Sequence, residues 1–122
     1  MILNPEQTKI LSVVAGRGNP VVIGMYVAGM VRSGKKVNEK TGATEQYAGI
    51  QHAVLCGRKV LNVKTYVDRD PALFASALAA EGNDVLTDKL LPAKNGEAVV
   101  VEISSYKIEK GTPVVTGIVT KL

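Results

Sequence analysis

The chain has one cysteine, one histidine, one phenylalanine and no tryptophan among its 122 residues. A lone Cys56 excludes an internal disulfide and a cysteine metal cluster, and it fits a reducing compartment. His52 sits on an expected strand among apolar neighbours. There it reads as a structural imidazole rather than a general base. Cys56 shares its strand parity, but four residues of strand separate the two by about 13 Å, too far for a nucleophile pair. The acidic residues have no metal-ligand spacing. Neither standard phosphate-binding glycine loop occurs, and Lys40-Thr41-Gly42 reads as a turn. The expectation is a protein without catalytic residues, metal or cofactor.

Long apolar runs are also missing. None reaches the roughly 18 residues of a membrane span. The first residues, MILNPEQTKILSVVAG, lack the basic start of a secretory signal. A cytoplasmic protein of a bacterial host cell is expected, with no membrane partner.

What is present is a globular composition, 46% apolar, in a chain long enough to bury a single core over residues 1–122. The net charge of +4 is unevenly spread. From Arg32 to Arg69 eight basic residues face three acidic ones, a net of +5. From Asp70 to Glu102 two basic residues face six acidic ones, a net of −4. A basic half suits an anionic ligand, although incidental clustering on a solvated surface gives the same pattern.

Asn4, Pro5, Glu6 and Gln7 form a helix-start signal, so a helix is expected over 4–15; Ile-Leu-Ser-Val-Val would also tolerate an extended form. Val21–Val31 reads as a strand bent at Gly24 and Gly29. Residues 32–45 read as a long basic loop. Residues 46–56 and 60–67 read as strands joined by a tight turn. In the second of these, Leu61, Val63, Thr65 and Val67 fall on one side and Asn62, Lys64 and Tyr66 on the other. Asp70-Pro71 opens an Ala-rich helix ending at Gly82, with Phe74 in its core face. Residues 83–96 read as a connector. Strands are expected at 97–108 and 112–121, with Glu109-Lys110-Gly111 as hairpin.

The fold expected is mainly β: a five-stranded, OB-like β-barrel with one helix between strands three and four and a possible N-terminal helix. Barrels of this kind bind oligonucleotides with the first and last interstrand loops and the face of strands two and three. Single strands need cations for the phosphates and flat rings for the bases. The candidate nucleic-acid-binding residues are Arg32, Lys35, Lys36, Lys40, Tyr47, Arg58, Lys59, Lys64, Tyr66, Lys107 and Lys110. Tyr26, in an apolar run, reads as core. Tyrosines favour strands in any case, so Tyr106 is undecided.

The stretch Gly34–Tyr47, GKKVNEKTGATEQY, resembles the small OB-fold single-stranded DNA-binding proteins of filamentous phages and related mobile elements. The features are a lysine-rich loop, a Thr-Gly turn and a tyrosine opening the second strand. The resemblance implies sequence-tolerant, cooperative coating of replicating single strands by a dimer. RNA is a second possible ligand. The alternative is a structural or assembly barrel whose basic arm grips a neighbouring chain.

Overall fold

The computed structural model describes residues 2–67 and 70–122. The elements are α1 (Pro5–Ala15), β1 (Val21–Val37), β2 (Thr44–Cys56), β3 (Lys59–Tyr66), α2 (Pro71–Ala80), α3 (Asp84–Leu90), β4 (Ala98–Glu109) and β5 (Thr112–Lys121). The strands close in the order β1-β2-β3-β5-β4. All pairings are antiparallel except the short parallel join of β3 to β5, Val63 to Val115 and Lys64 to Thr116. This is an OB-like β-barrel, as the order of elements predicts.

Alternation fills its interior. Tyr26, Val54, Val63, Val99, Val101, Val115 and Val119 form the central cluster. Each fully buried valine contributes roughly 1.5–3 kcal/mol. The bend expected in β1 is a register shift between Tyr26 and Ala28, between the two glycines. A Cβ on Gly24 would lie 2.7 Å from the Leu55 carbonyl oxygen, so bare backbone lets β2 cross there.

The helix at the start forms as its signal predicts. The Asn4 side chain accepts from Gln7 N–H at 2.8 Å, and the Gln7 side chain accepts from Asn4 N–H at 3.0 Å. This reciprocal cap offsets two of the orphan donors of the first turn. α1 lies outside the barrel, where Val14 packs with Val100 and Leu122. Just after it, Arg17 and Asn19 donate to the buried Glu102 carboxylate at 3.1 and 2.9 Å. These hydrogen bonds hold that carboxyl below its ordinary range.

Two expectations need correction. The basic stretch 32–45 is not a long loop. β1 continues to Val37 and β2 begins at Thr44, leaving only residues 38–43 as turn. Arg32, Lys35 and Lys36 therefore sit in a two-stranded ribbon. Gly and Lys are weak strand formers, but cross-strand pairing overrides them here, with Lys36 directly opposite Glu45. The connection from β3 to β4 also holds two helices rather than one. Asn83 caps α3 by accepting from Leu86 N–H at 3.1 Å. α2 lies under the base of the ribbon, where Ala77 and Ala80 pack against Val31, Ala48 and Ile50, with Phe74 at the edge of the cluster, and α3 packs on α2.

Candidate nucleic-acid interface

Strand parity decides which residues reach the outer surface of β1, β2 and β3. Ala48, Ile50, His52 and Val54 are buried. Tyr47, Gly49, Gln51 and Ala53 therefore face outward. Register then aligns the neighbours in rows. Gly34 stands opposite Tyr47, and Arg32 opposite Gly49. On the other side of β2, Gly49 is paired with Tyr66, and Gln51 with Lys64. The middle row across three strands is thus Arg32, Gly49, Tyr66. Its centre has no side chain.

A shallow groove of about 490 Å³ follows this face, lined by Arg32, Tyr47, Gln51, Lys64 and Tyr66. Tyr47 and Tyr66 are 38% and 53% exposed. Gln51 and Lys64 continue into a larger cavity of about 900 Å³ beneath the β4–β5 hairpin. The hairpin turns at Lys110 and Gly111, both with positive φ (49° and 79°). That is the two-residue turn favoured between twisted strands. It carries Lys110 and Thr112 to the cavity wall.

One carboxylate stands among these cations. Glu109 contacts Lys107 at 2.8 Å and Lys64 at 3.6 Å, one oxygen to each. The hydrogen bond from Lys107 holds the Glu109 carboxyl below its ordinary range, and the same bond raises Lys107.

Five of the expected residues, Arg32, Lys36, Tyr47, Lys64 and Tyr66, share this outer face. Lys107 joins them through Glu109, and Lys110 through the hairpin turn. Four stand apart. Lys35 has the parity of Val31 and Ser33, the side turned to α2, where Ser33 hydrogen-bonds Glu81. Lys40 is in the ribbon turn. Arg58 and Lys59 are at the β2–β3 turn, about 30 Å of strand from Tyr47. Asn62 lies on this face with Lys64 and Tyr66, as the alternation of β3 predicts, whereas Gly49, Gln51 and Met30 belong to it but were not expected there. Once Tyr47 is placed outward, period two along β2 gives Gly49 and Gln51. The apolar run AGIQHAVLC hides that period.

His52 is inside the barrel, 4% exposed. Its Nδ1 is 2.7 Å from the Tyr26 hydroxyl, and its Nε2 is 3.2 Å from Thr65 Oγ1. The Thr65 hydroxyl donates to the Gly117 carbonyl at 2.7 Å. Its oxygen must then accept from Nε2–H, which leaves Nδ1 to accept from Tyr26. The chain of donors runs one way, from β1 through β2 and β3 to β5. Burial pushes His52 down to about 4 and Tyr26 up to about 12. Both are neutral at pH 7, and the imidazole links Tyr26 to Thr65 across the barrel interior. Burial likewise raises the Cys56 thiol.

Among the described residues no three metal-ligating side chains cluster, and no helix is long and apolar enough to cross a membrane. No protein-family model matches the chain. No curated protein matches it in sequence. Among solved structures, it is similar to the solution structure of an OB domain from Thermoplasma acidophilum. The TM-score is 0.45 and the identity 7%, over 84% of this chain and 73% of that one.

Proposed function

We propose that the chain is a non-catalytic single-stranded DNA-binding protein. The observation that carries this reading is the row Arg32–Gly49–Tyr66 with Tyr47 beside it. A bare glycine between a guanidinium and an exposed ring leaves room for a flat base. Stacking is indifferent to base identity, and Arg32, Lys36 and Lys64 follow the phosphates. The β4–β5 hairpin borders the same groove, as expected for a ligand face of this barrel. The resemblance of Gly34–Tyr47 to the filamentous-phage proteins supports DNA over RNA, and a role in replication of a phage or mobile element as a dimer.

The test is a titration of labelled oligo-dT, oligo-U and duplex at two salt concentrations. Oligo-dT should bind tightest, with affinity falling steeply as salt rises. Tyr66→Ala and Arg32→Glu should each weaken it. Equal binding of duplex, or no effect of either substitution, overturns the reading.

A second reading rests on the exposed apolar residues of the two hairpins, Val37 (62%) and Ile108 (64%). There the ribbon is an arm that grips another copy. Light scattering after size exclusion separates the two: a large, salt-insensitive oligomer that ignores oligo-dT supports the arm.

A further inference from the structure

The larger depression beneath the β4–β5 hairpin differs in chemistry from the strip beside it. Its floor is the small residues Ala28, Gly29 and Ala53, and its apolar walls are Met30 and Val114. At about 900 Å³ it lies in the range of small-ligand sites, with room for a purine. Two carboxamides reach it, from Gln51 and Asn62.

Those carboxamides are unlike most others in the chain. Five of the six asparagines have fixed structural partners. Asn4 and Asn83 cap helices, and Asn19 binds Glu102. Asn38 accepts from the ribbon turn, and Asn95 donates to the Val27 carbonyl. Among the described residues Asn62 alone of the six holds no such bond. Gln7 completes the α1 cap, whereas Gln51, half-buried on the groove floor, has no side-chain partner among the described residues. Ala53 is opposite Asn62, and Gln51 is opposite Lys64. Gln51 and Asn62 are therefore diagonal neighbours on one face, about 7–8 Å apart, within joint reach of one flat ligand.

We infer that this cavity is a base-reading pocket that takes one adenine of the bound strand against Gln51 and Asn62. The inference rests on the single-stranded DNA reading and adds a preference that the stacking strip cannot supply. A carboxamide presents one donor and one acceptor side by side. Adenine matches it on two edges, because its amino group has two hydrogens and is flanked by N1 and by N7. Both carboxamides can then bind the same base. Cytosine and thymine match on one edge at a time. Guanine mismatches on its outer edge, where O6 and N7 both accept, and its second donor–acceptor edge, N2–H with N3, lies beside the sugar, so the two carboxamides cannot converge on it from the outer side as they do on the adenine amino group. Lys64 and Lys110 at the rim suit the flanking phosphates.

The test is fluorescence polarisation with oligo-dT and with the same oligomer holding one central dA, dC or dG. The wild type should favour the dA oligomer by about five- to tenfold, the lower part of what one bidentate base contact supplies. Gln51→Ala with Asn62→Ala should remove that preference, bringing the dA oligomer down to the affinity of oligo-dT, because stacking supplies the rest. Both side chains point outward, so melting temperature should hold. Ala53→Leu fills the floor from outside the core and should have the same effect. Equal affinity of the wild type for all four oligomers overturns the pocket, as does equal weakening of all four by the substitutions. An equal gain from dC or dG overturns adenine. If no oligomer binds, the DNA reading itself falls, which is a different result from tight binding without preference.

Discussion

The Tyr47 ring lies over the bare backbone of Gly34, its partner across the ribbon; a Cβ at Gly34 would be 2.5 Å from the Tyr47 hydroxyl oxygen. The glycine is thus the seat that sets the ring's height above the strip. Gly34→Val improves strand propensity but lifts the ring. Affinity for oligo-dT should fall about tenfold, in line with one lost stacking contact, while the melting temperature holds. Tyr47→Ala should give a similar loss, and the two changes together little more. Fluorescence titration and a thermal melt check this.

Parity separates two adjacent lysines. Lys36 lies on the face of Arg32 and Tyr47, and Lys35 on the face toward α2. Lys36→Glu should weaken oligo-dT binding several-fold more than Lys35→Glu at low salt. Equal effects in a titration would show that the ribbon acts only as diffuse charge.

Glu109 holds Lys64 and Lys107 where a phosphate would otherwise sit. Exposed ion pairs of this kind are weak, roughly 0–1 kcal/mol, so a strand can displace the carboxylate. Glu109→Gln should raise affinity and steepen the salt dependence, by about 0.7 in the log–log slope for each lysine released to a single strand. Glu6→Gln removes the same charge from the first turn of α1, outside the barrel, and should leave the slope unchanged. Binding isotherms at four salt concentrations distinguish the two.

The interior histidine predicts an acid limit. Its pKa is about 4 when folded, against an ordinary 6.5. The unfolded chain therefore binds the extra proton first. Stability is full above pH 6.5 and declines as pH falls toward 4, by about 3 kcal/mol in all. Tyr26 acts in the opposite direction. Its folded pKa is raised to about 12, so stability is present below pH 10 and declines as pH rises from there. Urea midpoints between pH 4 and 7 test the first window. His52→Phe should lower stability at pH 7 and flatten the dependence below it.

Much of this was legible in the residues themselves. Asn4-Pro5 and Gln7 specify α1 because capping is local chemistry. The alternation of β3 placed Tyr66 and Lys64 outward correctly. The ribbon was not legible, because Gly34, Lys35 and Lys36 become strand only by pairing with residues 45–47, and local propensity does not register a distant partner. α3 escaped notice because its seven residues have none fully buried and hence no strong apolar period. The floor of the groove was hidden for a third reason. β2 turns Ala48 and Ile50 to α2 on one face, while its other face carries Gly49, Gln51 and Ala53 with no polar rhythm.

The parallel join of β3 to β5 spans only two residue pairs, yet Thr65 and Gly117, which bond across it, are 52 positions apart. Every other strand pairing is longer. Ring closure thus imposes a large loop entropy for little local return, and contacts of such separation slow folding. The join is where the barrel should complete last and breathe first. Amide exchange at Thr116 and Gly117 would report it, running ahead of exchange along β1 and β2.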